Sequence, residues 1–566
     1  MTDHIEAILF DIGGTLRQTF TRDENETKDI LRQIVDILDR DMDLDDFAAL
    51  LAEREKAYQK WANETQQELN KIEIWTRWML PDWPEALIIE NSLTFQRIWR
   101  DATGIRTFLP EVKDVILKLF RNGYRLGVVS NTVSSDEVPS TLTELGIAGY
   151  FDVIVLSCDV GIRKPNPAIL LNAAERMGIA PKKCAYIGNN PTRDVVAAKG
   201  AGFAKTIIIR NPLIPVPPSE DPLLQPDHEL DNLSELTHIF LPHVTRIQGK
   251  KQNTPRMSGT TKYDVSLSTM WGIKNFSNLS DFFIAADRLG FSGVELNHQI
   301  NSSMLDGINL SDHCISSIHE PCPADISTAK LKENDWLVSS VDDDCRQQGV
   351  NAIRRSIDLA GELNVKTIVL HAGIVLSDAV LENRLRTLYN KGLKDTEEYQ
   401  EINYQIIKTR AKSTAAHMES VKKSIAELLE YGAKDGIRLG LENRYHYYDI
   451  PNQDEMAELL GLADEDQLGF IYDVGHAQAL DRLGFFDHEI WLKRFSGRMY
   501  GAHLHDVIGV DDHHAPGMGE IDFHTVVKYL PGDAYRACEV MSFNSVEQVR
   551  NGVKILKDSG CIKQIG

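Results

Sequence analysis

Seven consecutive apolar runs in the C-terminal half of the chain end on metal-binding residue types. The ends fall near Glu295, His319, His371, Glu442, Asp473 with His476, His503 and Glu539. Imidazole and carboxylate together are the ligand set of zinc, manganese, cobalt or iron. A single residue of this kind is more often a satisfied core or surface group. Seven in succession predict a metal site, provided that the runs are strands whose ends converge.

The elements needed to bring them together are legible. YDVSLS, GVELN, ISSIHE, TIVLHAG, RLGLENR, GFIYDVGH, MYGAHLHD and YRACEVM follow one another with helix-like segments between most of them. Eight such units in about 300 residues predict a (β/α)₈ TIM barrel over residues 262–566, in which strand C-termini share one mouth. The long gap between the fourth and fifth runs, about Val375 to Gly436, reads as helices. It is expected to form a lid or the contact of a homo-oligomer.

The first 245 residues have another pattern. Runs AILFD, LGVVSN, DVIVLS, AYIGN and TIIIR alternate with helical segments. This is the signature of an α/β, Rossmann-like domain with a mostly parallel sheet. A helical stretch between the first two runs reads as an inserted cap, about residues 17–105. Within it, DMDLDD is expected to start a helix, and the tryptophans of IWTRWMLPDWP to pack the cap. The polar, basic segment RIQGKKQNTPRMSGTT, residues 246–261, is the expected linker.

Composition bounds the partners. A chain of 566 residues is too long for one core. With 42% hydrophobic and 25% charged residues it falls in the ordinary globular class. A net charge of −22 opposes binding to nucleic acid, which needs basic surface. No apolar stretch is of membrane-spanning length, and the first residues carry no signal pattern, so a cytoplasmic protein is expected. Seven cysteines without paired spacing argue against a disulfide framework.

The C-terminal constellation resembles the xylose isomerase-like barrels, which include sugar and sugar-phosphate isomerases and epimerases as well as endonuclease-IV-type enzymes. The resemblance implies a single-metal core of Glu442, Asp473, His503 and Glu539, with His476 added by DVGH. The two glutamates would move a proton while the metal polarises adjacent oxygens. Glu295, His476 and Arg444 are expected to contact a sugar or phosphorylated substrate. The endonuclease branch implies more ligands. His319 in IHEPCP, His371 in VLHAG, and Asp511 with His513 in GVDDHHAPGMGEID resemble them, so one to three ions of manganese, zinc or cobalt are expected. The neighbouring Asp512 and His514 leave that last register open, and His505 has no assigned role.

The N-terminal motifs resemble the haloacid dehalogenase (HAD) superfamily. FDIGGTL implies Asp11 as nucleophile, VVSNT implies Ser130 as the phosphate-contacting hydroxyl, and GIRKPNP implies Lys164 as the neutralising cation. YIGNNPTRD implies Asp194 beside a magnesium ion that Asp11 also binds. Such a nucleophile needs a lysine to offset charge and a hydroxyl to hold the transferring group. Phosphatases of this family carry a second aspartate where this chain has Gly13, and an acid where it has Asn189. The departures imply weak phosphatase activity or an inert binding and regulatory module.

Overall fold

Asp11 sits where it does because Ala7–Phe10 is a fully buried apolar strand that must lie inside a sheet. Burying each large side chain of such a strand is worth about 1.5–3 kcal/mol. The computed structural model describes residues 4–39, 42–211, 219–241, 261–375 and 379–565. The chain divides into two compact units, residues 1–256 and 257–566. Residues 246–260 of the expected linker lie outside the described residues.

In the first unit, β1 (Ala7–Phe10), β4 (Arg125–Ser130), β5 (Phe151–Leu156), β6 (Cys184–Gly188), β7 (Lys205–Ile209) and β8 (His228–Leu230) form one sheet in the order β5-β4-β1-β6-β7-β8. Every pairing is parallel. A two-stranded antiparallel stem, β2 (Arg17–Phe20) with β3 (Ile105–Phe108), leads out to helices spanning residues 24–102. Three of these helices start on Asp23, Asp43 and Asn70, whose side chains accept the first free backbone N–H groups. They have their own core, which includes Phe47, Trp75, Ile88 and Phe95. The acidic run does begin a helix at Asp43, and Trp75 is fully buried with its Nε1–H on Gln96 Oε1.

The second unit is a closed barrel. β9 (Lys262–Ser268), β10 (Phe291–Leu296), β11 (Ile315–His319), β12 (Thr367–Leu370), β13 (Arg438–Glu442), β14 (Leu468–Asp473), β15 (Met499–His503) and β18 (Tyr535–Cys538) pair in parallel, and β9 joins both β10 and β18. Gly469 and Gly501 leave room for the rings of Tyr500 and Tyr535, which a Cβ would meet at 2.5 and 2.3 Å. β19 (Gln564–Ile565) lies antiparallel on β9. After β15, β16 (Asp506–Ile508) and β17 (Asp511–His514) form an antiparallel hairpin at the mouth.

The long insertion forms helices Ala379–Asn390 and Glu397–Gly432. It packs on its own barrel through Leu385, Tyr399, Ile402 and Ile406 against Leu480, Leu483 and Val510. Glu382 anchors it to the loop after β13, taking hydrogen bonds from His446 Nδ1 at 2.9 Å and Tyr447 N at 3.0 Å. No described helix is long and apolar enough to cross a membrane.

Candidate metal centre and aspartate site

Strands β13, β14, β15 and β18 deliver Glu442, Asp473, His503 and Glu539. One ligand atom from each lies within 4.8 Å of the others, and all four residues are buried. His503 Nδ1 is 2.7 Å from Glu442 Oε1, 2.9 Å from Glu539 Oε2 and 3.6 Å from Asp473 Oδ2. Yet His503 Nδ1 and Glu442 Oε1 have no hydrogen-bond partner. Buried polar atoms rarely stay unpaired, and a shared cation would satisfy both. On the other side of the ring, His503 Nε2 is 3.2 Å from Glu295 Oε2, which also accepts from Ser317 Oγ at 2.6 Å. That bond puts the imidazole proton on Nε2 and turns the Nδ1 lone pair to the centre. The donor set therefore fits a divalent ion.

Glu442 is held by its other oxygen. His371 Nε2 lies 2.9 Å from Oε2, and Arg444 Nη1 donates to the same atom. His319 Nε2 is 4.0 Å from Oε1 and forms a further possible ligand group with Glu442 and His503. Burial and Arg444 push the His371 imidazole well below its usual range, so it is neutral. Burial opposes charge on His503, but with no cation among the carboxylates Glu295 and Glu539 outweigh it and push that imidazole well above its usual range, so a proton on Nδ1 and a metal ion would compete for the same place. Glu442 and Asp473 sit well below the ordinary carboxylate range despite burial, held there chiefly by histidines.

A separate group lies at the hairpin: His476, Asp512 and His513, all buried. Nδ1 of His476 bonds the Asn443 carbonyl at 3.0 Å, and Nδ1 of His513 bonds the Glu539 carbonyl at 3.0 Å. Both Nε2 atoms are thereby left toward Asp512 Oδ2, each 3.6 Å away. Asp511, the expected ligand, is instead outside the group. Its side chain is 76% exposed and bonds His514. The reason is local backbone: His513 has φ +57°, which breaks the strand alternation that would have put Asp511 and His513 on one face.

In the first unit, Asp11 follows β1, Ser130 ends the adjacent β4, Lys164 lies in the connection after β5, and Asp194 lies in the helical turn Pro191–Val195 after β6. All four are at most 5% exposed. Lys164 Nζ is 2.7 Å from Asp11 Oδ1 and 3.0 Å from Asp194 Oδ1. Asn131 fixes the lysine's backbone, bonding both its N–H and its carbonyl at 2.9 Å. Arg193 Nη2 reaches Asp11 Oδ2 and Asp194 Oδ2, each at 3.2 Å. A Cβ at Gly13 would meet nothing within 4 Å.

Comparison with known proteins agrees with both halves. Residues 5–202 match the family of haloacid dehalogenase-like hydrolases, and residues 283–559 match the xylose isomerase-like TIM barrel. The chain joins a HAD-like hydrolase domain to a xylose isomerase-like barrel. The HAD-like half is 34% identical over 161 residues to a phosphoglycolate phosphatase of Nitrosococcus oceani, covering 28% of this chain and 68% of that protein. It is 26% identical over 236 residues to a glyceraldehyde 3-phosphate phosphatase of Methanopyrus kandleri, covering 42% and 97%. Among solved structures, a D-tagatose 3-epimerase-like protein matches with a TM-score of 0.37 at 19% identity, over 52% of this chain and 96% of that one.

Not every expected residue keeps its expected place. In the xylose isomerase-like barrel, Glu295 bonds the far nitrogen of His503 and the Ser317 hydroxyl. It is fully buried behind His503, because its strand register points it into the barrel interior. Arg444 and His371 line a recess with Glu320, Lys332, Trp336 and Asp449, and none of Glu442, Asp473, His503 and Glu539 lines it. Sequence reasoning missed Asn297, whose Nδ2 bonds Glu539 Oε1 at 3.1 Å, and His298, whose ring lies 4.9 Å from that of His319. Both sit in the loop after the β10 run, and only their nearness to Glu295 could have flagged them. His505 also gains a place: Nε2 is 3.0 Å from both oxygens of Asp473, while Nδ1 accepts from His513 N–H. It braces Asp473, and Gly475 makes room for it, since a Cβ there would fall 2.1 Å from the His505 ring. In the HAD-like half the missed residue is Arg193.

Proposed function

We propose that the barrel isomerises or epimerises a sugar or sugar phosphate with a bound divalent ion, and that the HAD-like half handles a phosphate ester at Asp11. The observation that carries the barrel reading is the convergence of Glu442, Asp473, His503 and Glu539 with unpaired ligand atoms at its centre. A manganese, zinc or cobalt ion held there would polarise substrate oxygens. The chain's own groups supply the rest. Glu442 and Glu539 flank His503 from different strands, and both are held ionised despite burial. An ionised carboxylate can accept a carbon-bound proton beside a carbonyl, and because the low pKa makes it a weak base the metal would have to acidify that proton. Arg444 and His371 bond the far oxygen of Glu442 and offer polar groups beside it to a polyol.

Solvent exchange tests this reading. Ketose and aldose phosphates incubated in deuterated buffer should gain deuterium at one carbon in the metal-loaded wild type and not in Glu539→Gln. A panel without exchange in the loaded wild type would overturn it.

A second reading is a multinuclear phosphoesterase. The separate groups His476–Asp512–His513 and His319–Glu442–His503 favour it. The net charge of −22 weighs against a nucleic-acid substrate. Metal content per barrel separates the two: one ion supports the isomerase, three the phosphoesterase.

A further inference from the structure

The two carboxylates of the HAD-like site share two protein cations. Lys164 Nζ takes the Oδ1 atom of both Asp11 and Asp194. Arg193 Nη2 takes the Oδ2 atom of both, and it also donates to Asn189 Oδ1 at 3.1 Å. Each aspartate therefore bridges one ammonium and one guanidinium. Asp194 has its Oδ2 further bonded by the backbone N–H groups of Asn189 and Asn190, at 3.1 and 2.9 Å.

Charge decides what this cluster accepts. Two carboxylates face an ammonium and a guanidinium, and Asn189 is neutral, so the set carries no excess negative charge. A magnesium site of the kind the motifs imply needs that excess, together with oxygen lone pairs at about 2.0–2.1 Å in near-octahedral geometry. Here the Oδ2 atoms of both aspartates already receive N–H bonds from Arg193. A guanidinium stays charged at any working pH, so it does not vacate the site by losing a proton. Placing a divalent ion beside it adds repulsion in a buried site where charges are weakly screened. The residues present do not fit magnesium.

Position points the same way. The side chains of Asp11, Asp194 and Lys164 are at most 3% exposed, whereas that of Arg193 is 29% exposed. Arg193 makes its bonds to the cluster through Nε and Nη2. Nη1 is left for an oxygen of an incoming anion.

We propose that Arg193 stands in for the divalent ion of the HAD-like half, which binds its phosphate-class ligand without magnesium. Asn189 completes the substitution by accepting from Arg193 where an acid would have contributed charge.

Manganese is the probe, because it replaces magnesium and is counted directly. The full chain is dialysed to equilibrium against manganese and analysed for metal as wild type, Asp11→Asn, Arg193→Ala/Asn189→Asp, and that double variant with Asp11→Asn added. The barrel contributes equally to all four. Wild type and Asp11→Asn should hold the same number of ions. The double variant should gain one per chain, and adding Asp11→Asn should abolish the gain. One more ion in wild type than in Asp11→Asn would overturn the proposal, because the guanidinium would then yield to metal. A folded double variant with no gain would also overturn it, because Arg193 would not be what excludes the ion. Should the double variant fail to fold, the comparison of wild type with Asp11→Asn decides alone.

Discussion

His503 Nδ1 and Glu442 Oε1 lie 2.7 Å apart in the floor of the barrel mouth, and no hydrogen bond joins them. Each is oriented from behind. Glu295 takes the far nitrogen of the imidazole, while His371 and Arg444 take the far oxygen of the carboxylate. What remains at the front is a nitrogen and an oxygen lone pair aimed at common space. Two donors held in this way attract a cation more strongly than they attract each other.

Glu295 should therefore control metal affinity without touching the metal. Outer-sphere partners of ligating histidines are typically worth about 10–100-fold in affinity. Glu295→Gln should lose metal in that range, and Glu442→Gln and His503→Ala should lose more. Competition with a chelator of known affinity measures all three. Wild-type affinity in Glu295→Gln would mean that the bond to His503 does not orient a ligand.

Asp511 and Asp512 should behave differently although they are adjacent and chemically alike. Asp512 is 9% exposed beside His476 and His513, and Asp511 points to solvent. In crystals grown with zinc, Asp512→Asn should weaken or remove an anomalous peak at those histidines. Asp511→Asn should leave it unchanged. Equal effects would put the hairpin in another register.

The anchor of the insertion predicts a pH dependence. Burial opposes ionisation of Glu382, but His446 and Arg386 hold its pKa below the ordinary value. A carboxylate depressed in the folded state stabilises above its unfolded pKa, about 4.3 for glutamate, and that contribution fades as pH falls through the folded value. Glu382→Gln should thus cost about 1–3 kcal/mol at pH 7 in urea unfolding, and less as the solution is acidified. Limited proteolysis should cut the variant more readily within residues 379–432. A difference that grows on acidification would contradict the assignment.

Gly13 offers a gain-of-function test. The site has Asp11 and Lys164 in contact, but nothing at position 13 can protonate a leaving group. General acid catalysis typically contributes about 10²–10⁴-fold. Wild type should hydrolyse an aryl phosphate, which needs little protonation, better than a sugar phosphate, and Asp11→Asn should abolish both. Gly13→Asp enters open space and should raise the sugar-phosphate rate selectively. Steady-state rates on the two esters provide the measurement. No change in their ratio would show that protonation does not limit turnover.

The sequence alone determined which chemistry the two halves can carry. Apolar runs ending in Asp11, His319, Glu442, Asp473, His503 and Glu539 have few ways to be arranged. In parallel sheets such runs are buried, and their C-terminal ends emerge on one face, so residue type at a run's end translates directly into site composition. Three features were decided only by tertiary structure. The left-handed backbone at His513 exchanged Asp511 for Asp512, an outcome that strand alternation does not encode. The β10 register placed Glu295 behind His503, because one strand of a closed barrel cannot shift without its neighbours. Arg193 reached back across its own turn to Asp11, a contact between residues 182 positions apart that depends on how β1 and β6 lie side by side. Local pattern fixes which groups arrive at a site, whereas backbone conformation and packing across distant segments fix which of their atoms face one another.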